Sequence, residues 1–352
     1  MKFGISFFPT VGPADKDAYR HYAECLALVE LAEELGYDHV KAVEHYFFEY
    51  GGYSPDPVTF LAAAAARTSR IRLVTGAVLP AFTHPIKLAA KLAMLDNISG
   101  GRLDAGFGRA FLPDEFAWFE VPIDESRSRF DEGVEACRRL WAEEDVEWRG
   151  TYHRFGPVTL LPRPFRQPHP PILVAAALTP SSCEAAGRNG YGLMLVPAIN
   201  PREKVQDMLG LYRKAWADAG HEPGADVVHL SYNAYLAEDA DEAFAGGDAC
   251  SLRMNHAMRD AVAAWGRTRS DNYVGYENIV KKIAQHDFAG ALADNRLLVG
   301  TPEQVTGQLR AIRDWFGDVT ISLQVITGNP SYEDAVRTVR LFGEQVAPHF
   351  AD

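Results

Sequence analysis

Apolar and polar positions along these 352 residues alternate between two periods. Short apolar or alternating runs at Phe3–Phe8, His39–Val43, Ile71–Leu79, Leu103–Phe107, Ile172–Ala176, Gly192–Val196, Val227–Tyr235 and Val319–Val325 each predict a strand. Between them, three- and four-residue spacing predicts helices over Asp17–Leu35, Pro57–Thr68, Pro85–Ile98, Ser126–Trp141, Ser181–Asn189, Pro201–Ala219, Pro302–Phe316 and Tyr332–Val346. In the third helix Pro85 opens the first turn, Leu88, Leu92 and Leu95 form the core stripe, and Ser99-Gly100-Gly101 ends it. Eight strands alternating with eight helices also suit a doubly wound sheet. Count and length favour an α/β fold of the (β/α)8 TIM-barrel type, for which about 250 residues plus insertions is usual. No linker divides the chain, so one domain over 1–352 is expected. Two stretches exceed a minimal barrel: Asp145–Pro171, with a hairpin signal at Arg149-Gly150-Thr151, and Glu238–Leu298, which holds Trp265, Tyr273, Tyr276 and His256. Such insertions usually sit on the catalytic face, where this one suits a cover over a ligand or a helical dimer contact.

Composition narrows the function. With 47% apolar and 23% charged residues the chain is an ordinary globular one, and its net charge of -12 disfavours a nucleic-acid backbone as partner. Met1–Pro9 reads as a first strand rather than a secretory leader, and no stretch reaches the roughly 18 apolar residues of a membrane span, so a cytoplasmic location is expected. Cys25, Cys137, Cys183 and Cys250 are scattered and read as free buried thiols. Walker, nucleophile-elbow and His-Glu-x-x-His motifs are absent, and the eleven histidines show no metal-ligand spacing, so no metal is expected.

Barrel enzymes work at the carboxyl ends of their strands. After the second strand comes Glu44-His45-Tyr46-Phe47, running on to Tyr53. A lone histidine is more often structural, but His45 lies at a catalytic-face position in an aromatic and acidic loop, and an imidazole exchanges protons near neutral pH. Thr75-Gly76-Ala77-Val78 brings small residues to the barrel mouth, where a flat ring can lie, although core packing explains them too. Gly106-Phe107-Gly108-Arg109 lacks the third glycine and the strand-turn-helix context of a dinucleotide fingerprint. Arg127 and Arg129 open a helix, where cations oppose the dipole unless an anion sits nearby. Ala176 precedes Thr179-Pro180-Ser181-Ser182, a helix start that suits either simple capping or an anion cradle.

The run from His84 through Ser99-Gly100-Gly101-Arg102-Leu103 to Gly106-Phe107-Gly108-Arg109, with Glu44-His45-Tyr46-Phe47 upstream and Val299-Gly300-Thr301-Pro302 downstream, resembles the bacterial luciferase-like monooxygenases. The resemblance covers nearly the whole chain. It implies that His45 is the active-site histidine, with Glu44 a buried orienting partner and Tyr46 in place of the luciferases' second histidine. It further implies a non-proline cis peptide at Gly76 and Ala77 under the flavin ring. Arg109 becomes a ligand of the flavin phosphate or ring edge, and either Arg127 or Arg129 a phosphate ligand, with Arg127 favoured. The phosphate loop falls on Thr179, Ser181 and Ser182, with Ala176 replacing a glutamate. Gly108 stands where luciferases carry cysteine, which leaves room for substrate and argues against light emission. The implied activity is oxygenation of a medium-sized apolar aldehyde, ketone or natural-product intermediate. It uses molecular oxygen and reduced FMN from a separate NAD(P)H-dependent flavin reductase, by way of a flavin hydroperoxide. Phe7, Phe47, Tyr53, Phe111 and the long insertion are expected to form the dry pocket, and a homodimer is the family's habit. Two competing readings are a deazaflavin-dependent hydride-transfer enzyme and a non-catalytic flavin-binding partner subunit, against which retention of His45 and Arg109 argues.

Overall fold

A computed structural model of the chain describes residues 1–276, 280, 283 and 286–351. Eight parallel strands close into a barrel: β1 (Lys2–Phe7), β2 (His39–Ala42), β3 (Arg72–Thr75), β4 (Leu103–Phe107), β7 (Ile172–Ala175), β8 (Gly192–Leu195), β9 (Val228–Leu236) and β11 (Thr320–Gln324). The β8–β9 pairing completes the ring. All eight predicted strands are present. The third ends at Thr75 rather than running from Ile71 to Leu79; a cis peptide joins Gly76 to Ala77, and Val78 forms a bridge to Phe107. The predicted hairpin is the antiparallel pair β5 (Val146–Arg149) and β6 (Arg154–Val158), and β10 (Leu298–Gly300) extends the barrel along the far half of β9.

Local chemistry sets the helices that surround the ring. Asp17 caps α1 (Ala18–Glu34) and Asp56 caps α2 (Pro57–Arg67), while α3 (Pro85–Ile98) buries Leu88, Leu92 and Leu95 and stops at Gly100 and Gly101, both at positive φ. Arg102, just beyond that stop, donates to the carbonyls of Ala65, Thr68, Ile71 and Ser99. Much of the Ser-Gly-Gly-Arg run is therefore structural: it ties the ends of α2 and α3 to the foot of β4. All four cysteines lie in helices as free thiols, with Cys250 only half-buried. Among the described residues no helix is long and apolar enough to cross a membrane.

The barrel interior is divided. On the side of β3, β4, β7 and β8, Val74, Leu173 and Met194 are in contact, beside the ion pair of Arg72 and Asp104. On the opposite side the inward positions are polar and buried: Ser6, His39, Lys41, His229, Ser231, Ser322 and Gln324. His39 bonds Ser322 at 2.8 Å, and Gly4 makes room for it, because a Cβ there would lie 2.3 Å from its Nδ1. Lys41 donates to Ser231 Oγ at 2.6 Å, and burial alone pulls its pKa from the ordinary lysine range to about 7. The unfolded chain therefore binds more protons than the folded one from about pH 7 up to the lysine range, and stability rises with pH across that window. Lys41→Met is expected to stabilise the protein at pH 7 and below by on the order of 3 kcal/mol, the gain fading toward about pH 10. Thermal melts across that range check it; a variant no more stable than the parent at pH 7 contradicts it.

Candidate functional site

The carboxyl ends of β2, β3, β4 and β7 converge on one mouth. Beyond β2 the chain turns back at Gly51 and Gly52, both at positive φ, and a Cβ at Gly51 would lie 2.3 Å from that of His45. This turn lets the His45 N–H reach the Ser54 carbonyl at 3.0 Å, fixing the loop that carries the imidazole. Glu115, fully buried in the short helix α4 (Pro113–Trp118), approaches His45 Nδ1 at 3.2 Å and accepts the Tyr46 N–H at 3.0 Å through the same oxygen. Its second oxygen is buried and, among the described residues, unpaired. With Nδ1 engaged, Nε2 is the nitrogen left for other work, a tautomer assigned from the hydrogen-bond network. Glu44 takes a different part: it accepts from the Tyr46 hydroxyl at 2.7 Å and from the Leu79 N–H at 3.2 Å, and burial raises its pKa to about 7.

The ring of side chains around His45 differs in part from the one expected. Phe8 and Tyr50 stand at 5.5 and 5.0 Å from the imidazole, centroid to centroid, and Phe111 at 6.1 Å. Phe7 is not among them. Neighbours along a strand face opposite sides, so Phe8 meets the imidazole while Phe7 packs outward on Phe60 at 5.1 Å. Phe7 and Tyr53 instead line a separate cavity of about 290 Å³ beside His21 and Cys25 on α1. Phe47 is 63% exposed and lies against Trp118 on the outer rim, away from the imidazole. The long insertion after β9 does reach the mouth. Trp265 donates to the Phe111 carbonyl at 3.0 Å, Tyr273 donates to the Ala110 carbonyl, and Tyr276 joins the same buried cluster as Phe8 and Tyr50.

Small residues make a flat wall beside this cluster. A Cβ on Gly108 would approach those of Ala77 at 3.0 Å and Ala175 at 4.0 Å. At one end of the wall two guanidinium groups come together. Arg109 lies over the Tyr273 ring at 4.3 Å, and Arg127, in the first turn of α5 (Ser126–Ala142), donates to Ser182 Oγ at 3.0 Å. Burial and the neighbouring Arg109 both lower the pKa of Arg127, and among the described residues neither arginine has a carboxylate at ion-pair distance. Ser182 opens α6 (Pro180–Arg188), where Thr179 holds the cap position but its hydroxyl caps no N–H, and Ser181 is exposed beside it. Arg129 is not part of this group: it pairs with Glu125 at 2.8 Å and covers the Tyr152 ring. Ala176 is buried behind the loop.

Two neighbouring cations that Asp131 offsets only from beyond ion-pair distance, the hydroxyls of Thr179, Ser181 and Ser182 at a helix start, and a wall of Ala77, Gly108 and Ala175 fit a planar ring carrying a phosphate. Sequence reasoning overlooked Glu115, because Leu112-Pro113-Asp114-Glu115 reads as the acidic first turn of any exposed helix. It also passed over Tyr50 and Phe8. Phe8 directly follows β1 and Tyr50 lies in the loop after β2, places shared by several other aromatics.

The family model for luciferase-like monooxygenases matches residues 1–318. The crystal structure of monooxygenase RslO1 from Streptomyces bottropensis is 62% identical and superposes with a TM-score of 0.91 over the full length of both chains. The oxygenase component of the flavin-dependent trigonelline monooxygenase of Acinetobacter baylyi is 28% identical over 337 residues, covering 94% of this chain and 90% of that one. The oxygenating constituent of 3,6-diketocamphane monooxygenase from Pseudomonas putida, a type II Baeyer–Villiger monooxygenase solved with FMN, shares the fold at 20% identity with a TM-score of 0.81, covering 99% and 98% of the two chains.

Proposed function

Because the chain belongs to the luciferase-like monooxygenase family, we propose that it is the oxygenating component of a two-component system, taking reduced FMN from a separate reductase and oxygenating an apolar, medium-sized substrate. The observation that carries this reading is the pairing of Arg109 and Arg127, with no carboxylate at ion-pair distance among the described residues, at one end of the small-residue wall of Ala77, Gly108 and Ala175. Arg109, Arg127, Ser182 and Thr179 hold the phosphate, and Ala77 and Gly108 lie against the ring. When bound, reduced FMN supplies the two electrons that take one atom of O₂ to water while the other enters the substrate.

The chain's own residues do the rest. Glu115 orients the imidazole through Nδ1, so that Nε2 of His45 gives or takes a proton at the reacting centre. Phe8, Tyr50, Phe111, Trp265 and Tyr276 exclude water from that centre, which keeps the reducing equivalents from escaping as free peroxide. Gly108 does not open the substrate space expected of it: a Cβ there would lie 3.0 Å from that of Ala77 and 3.4 Å from Leu79 Cδ2, so the missing side chain serves close packing of the wall. Purified chain, an NAD(P)H-driven FMN reductase, ¹⁸O₂ and a panel of apolar aldehydes, ketones and polycyclic aromatics test the proposal. One labelled oxygen per product is expected. Tight binding of a reduced deazaflavin, with no oxygen consumed, would overturn it in favour of hydride transfer.

A further inference from the structure

Lys41 sits where an apolar side chain would serve the fold better. It is buried, and among the described residues its only hydrogen bond is to Ser231. The titratable groups facing it leave it without a counter-charge of its own. His39 on its own strand and His229 on β9 are held neutral by burial, His229 at about 3. On β3, Arg72 is bound to Asp104 of β4 at 2.6 Å, which uses that carboxylate. Among the described residues no carboxylate lies at ion-pair distance from Lys41. An interior ammonium without a counter-charge is a costly feature, and costly features concentrate where function needs them. Its position is informative. The stem runs against the backbone of Gly76, where a Cβ would lie 2.4 Å from Lys41 Cγ and 2.5 Å from Cδ. Gly76 adjoins Ala77, which forms the wall against which the flavin ring is placed.

We propose that Lys41 is a redox-state selector: its ammonium, inside the barrel beneath the Gly76–Ala77 seat, is the counter-charge through which this chain holds the anionic reduced flavin more tightly than the neutral oxidised one. The inference rests on the flavin reading above. By linkage, the reduced anion raises the proton affinity of Lys41 as much as the protonated lysine raises the affinity for the anion. The oxidised ring has no such charge and leaves the lysine where burial puts it.

Wild type and Lys41→Met are titrated with oxidised FMN and, anaerobically, with dithionite-reduced FMN, between about pH 6 and 9. The preference of wild type for the reduced form should fall about tenfold in the variant and lose its pH dependence, while oxidised FMN binds within about twofold of before. A lysine that merely fills the barrel leaves that ratio unchanged, which overturns the proposal. A second readout needs no variant: the ¹³Cε resonance of Lys41 should titrate at higher pH with reduced than with oxidised FMN bound, and coincident titrations overturn the proposal too. Failure of wild type to bind FMN in either state overturns it together with the reading beneath it.

Discussion

Replacing His45 by Ala is expected to slow oxygenation by about 10²- to 10⁴-fold while leaving FMN affinity within a few-fold, the usual range for loss of a positioned acid-base group. The imidazole ring is held among Phe8, Tyr50 and Phe111, and its Nδ1 is fixed by a fully buried carboxylate. The Arg109–Arg127 pair does not touch it, so binding and chemistry separate. Glu115→Gln keeps the shape but removes the charge that orients Nδ1, and a loss of about 10- to 100-fold is expected. If Glu115 acts only through His45, the double variant is no slower than His45→Ala alone. Single-turnover product formation from anaerobic enzyme, reduced FMN and substrate mixed with oxygen measures all three. Unchanged turnover in His45→Ala removes the histidine from the mechanism, and additive losses give Glu115 a separate role.

Arg127→Ala is expected to weaken FMN binding by about 10²-fold, close to the value of one desolvated charge-assisted contact, without changing riboflavin binding. The guanidinium already bears burial and repulsion from Arg109, which Asp131 only partly offsets, and a phosphate supplies a further counter-charge. Arg129→Ala provides the comparison: that side chain is committed to Glu125 and Tyr152, so FMN binding should stay within about twofold. Parallel titrations with FMN and riboflavin decide the matter. Equal losses for the two ligands in Arg127→Ala would mean that the arginine supports the loop rather than the phosphate.

Much of this architecture can be read along the chain. Periodicity places eight barrel strands and the helices between them, and Pro85, Asp17, Gly100 and Gly101 mark helix ends by their own backbone chemistry. Position after β2 and β4 brings His45 and Arg109 to the mouth. The choice between Arg127 and Arg129 was not legible, because both open the same helix. It turns on which one points to Ser182, 55 residues away in sequence, and which to Glu125 one turn back. Glu115 was hidden for the same reason, being buried by residues distant from it in sequence.

Near neighbours along the chain set element type, caps, turns, and which strand ends carry polar loops. Tertiary structure alone decided which of two adjacent aromatics, Phe7 or Phe8, meets the imidazole, and that one side of the barrel is polar inside. His39-Val40-Lys41-Ala42 has the alternation of a half-exposed strand, and only closure of the barrel turns its polar side inward. Side-chain alternation is a local property. Which face water reaches depends on all eight strands at once.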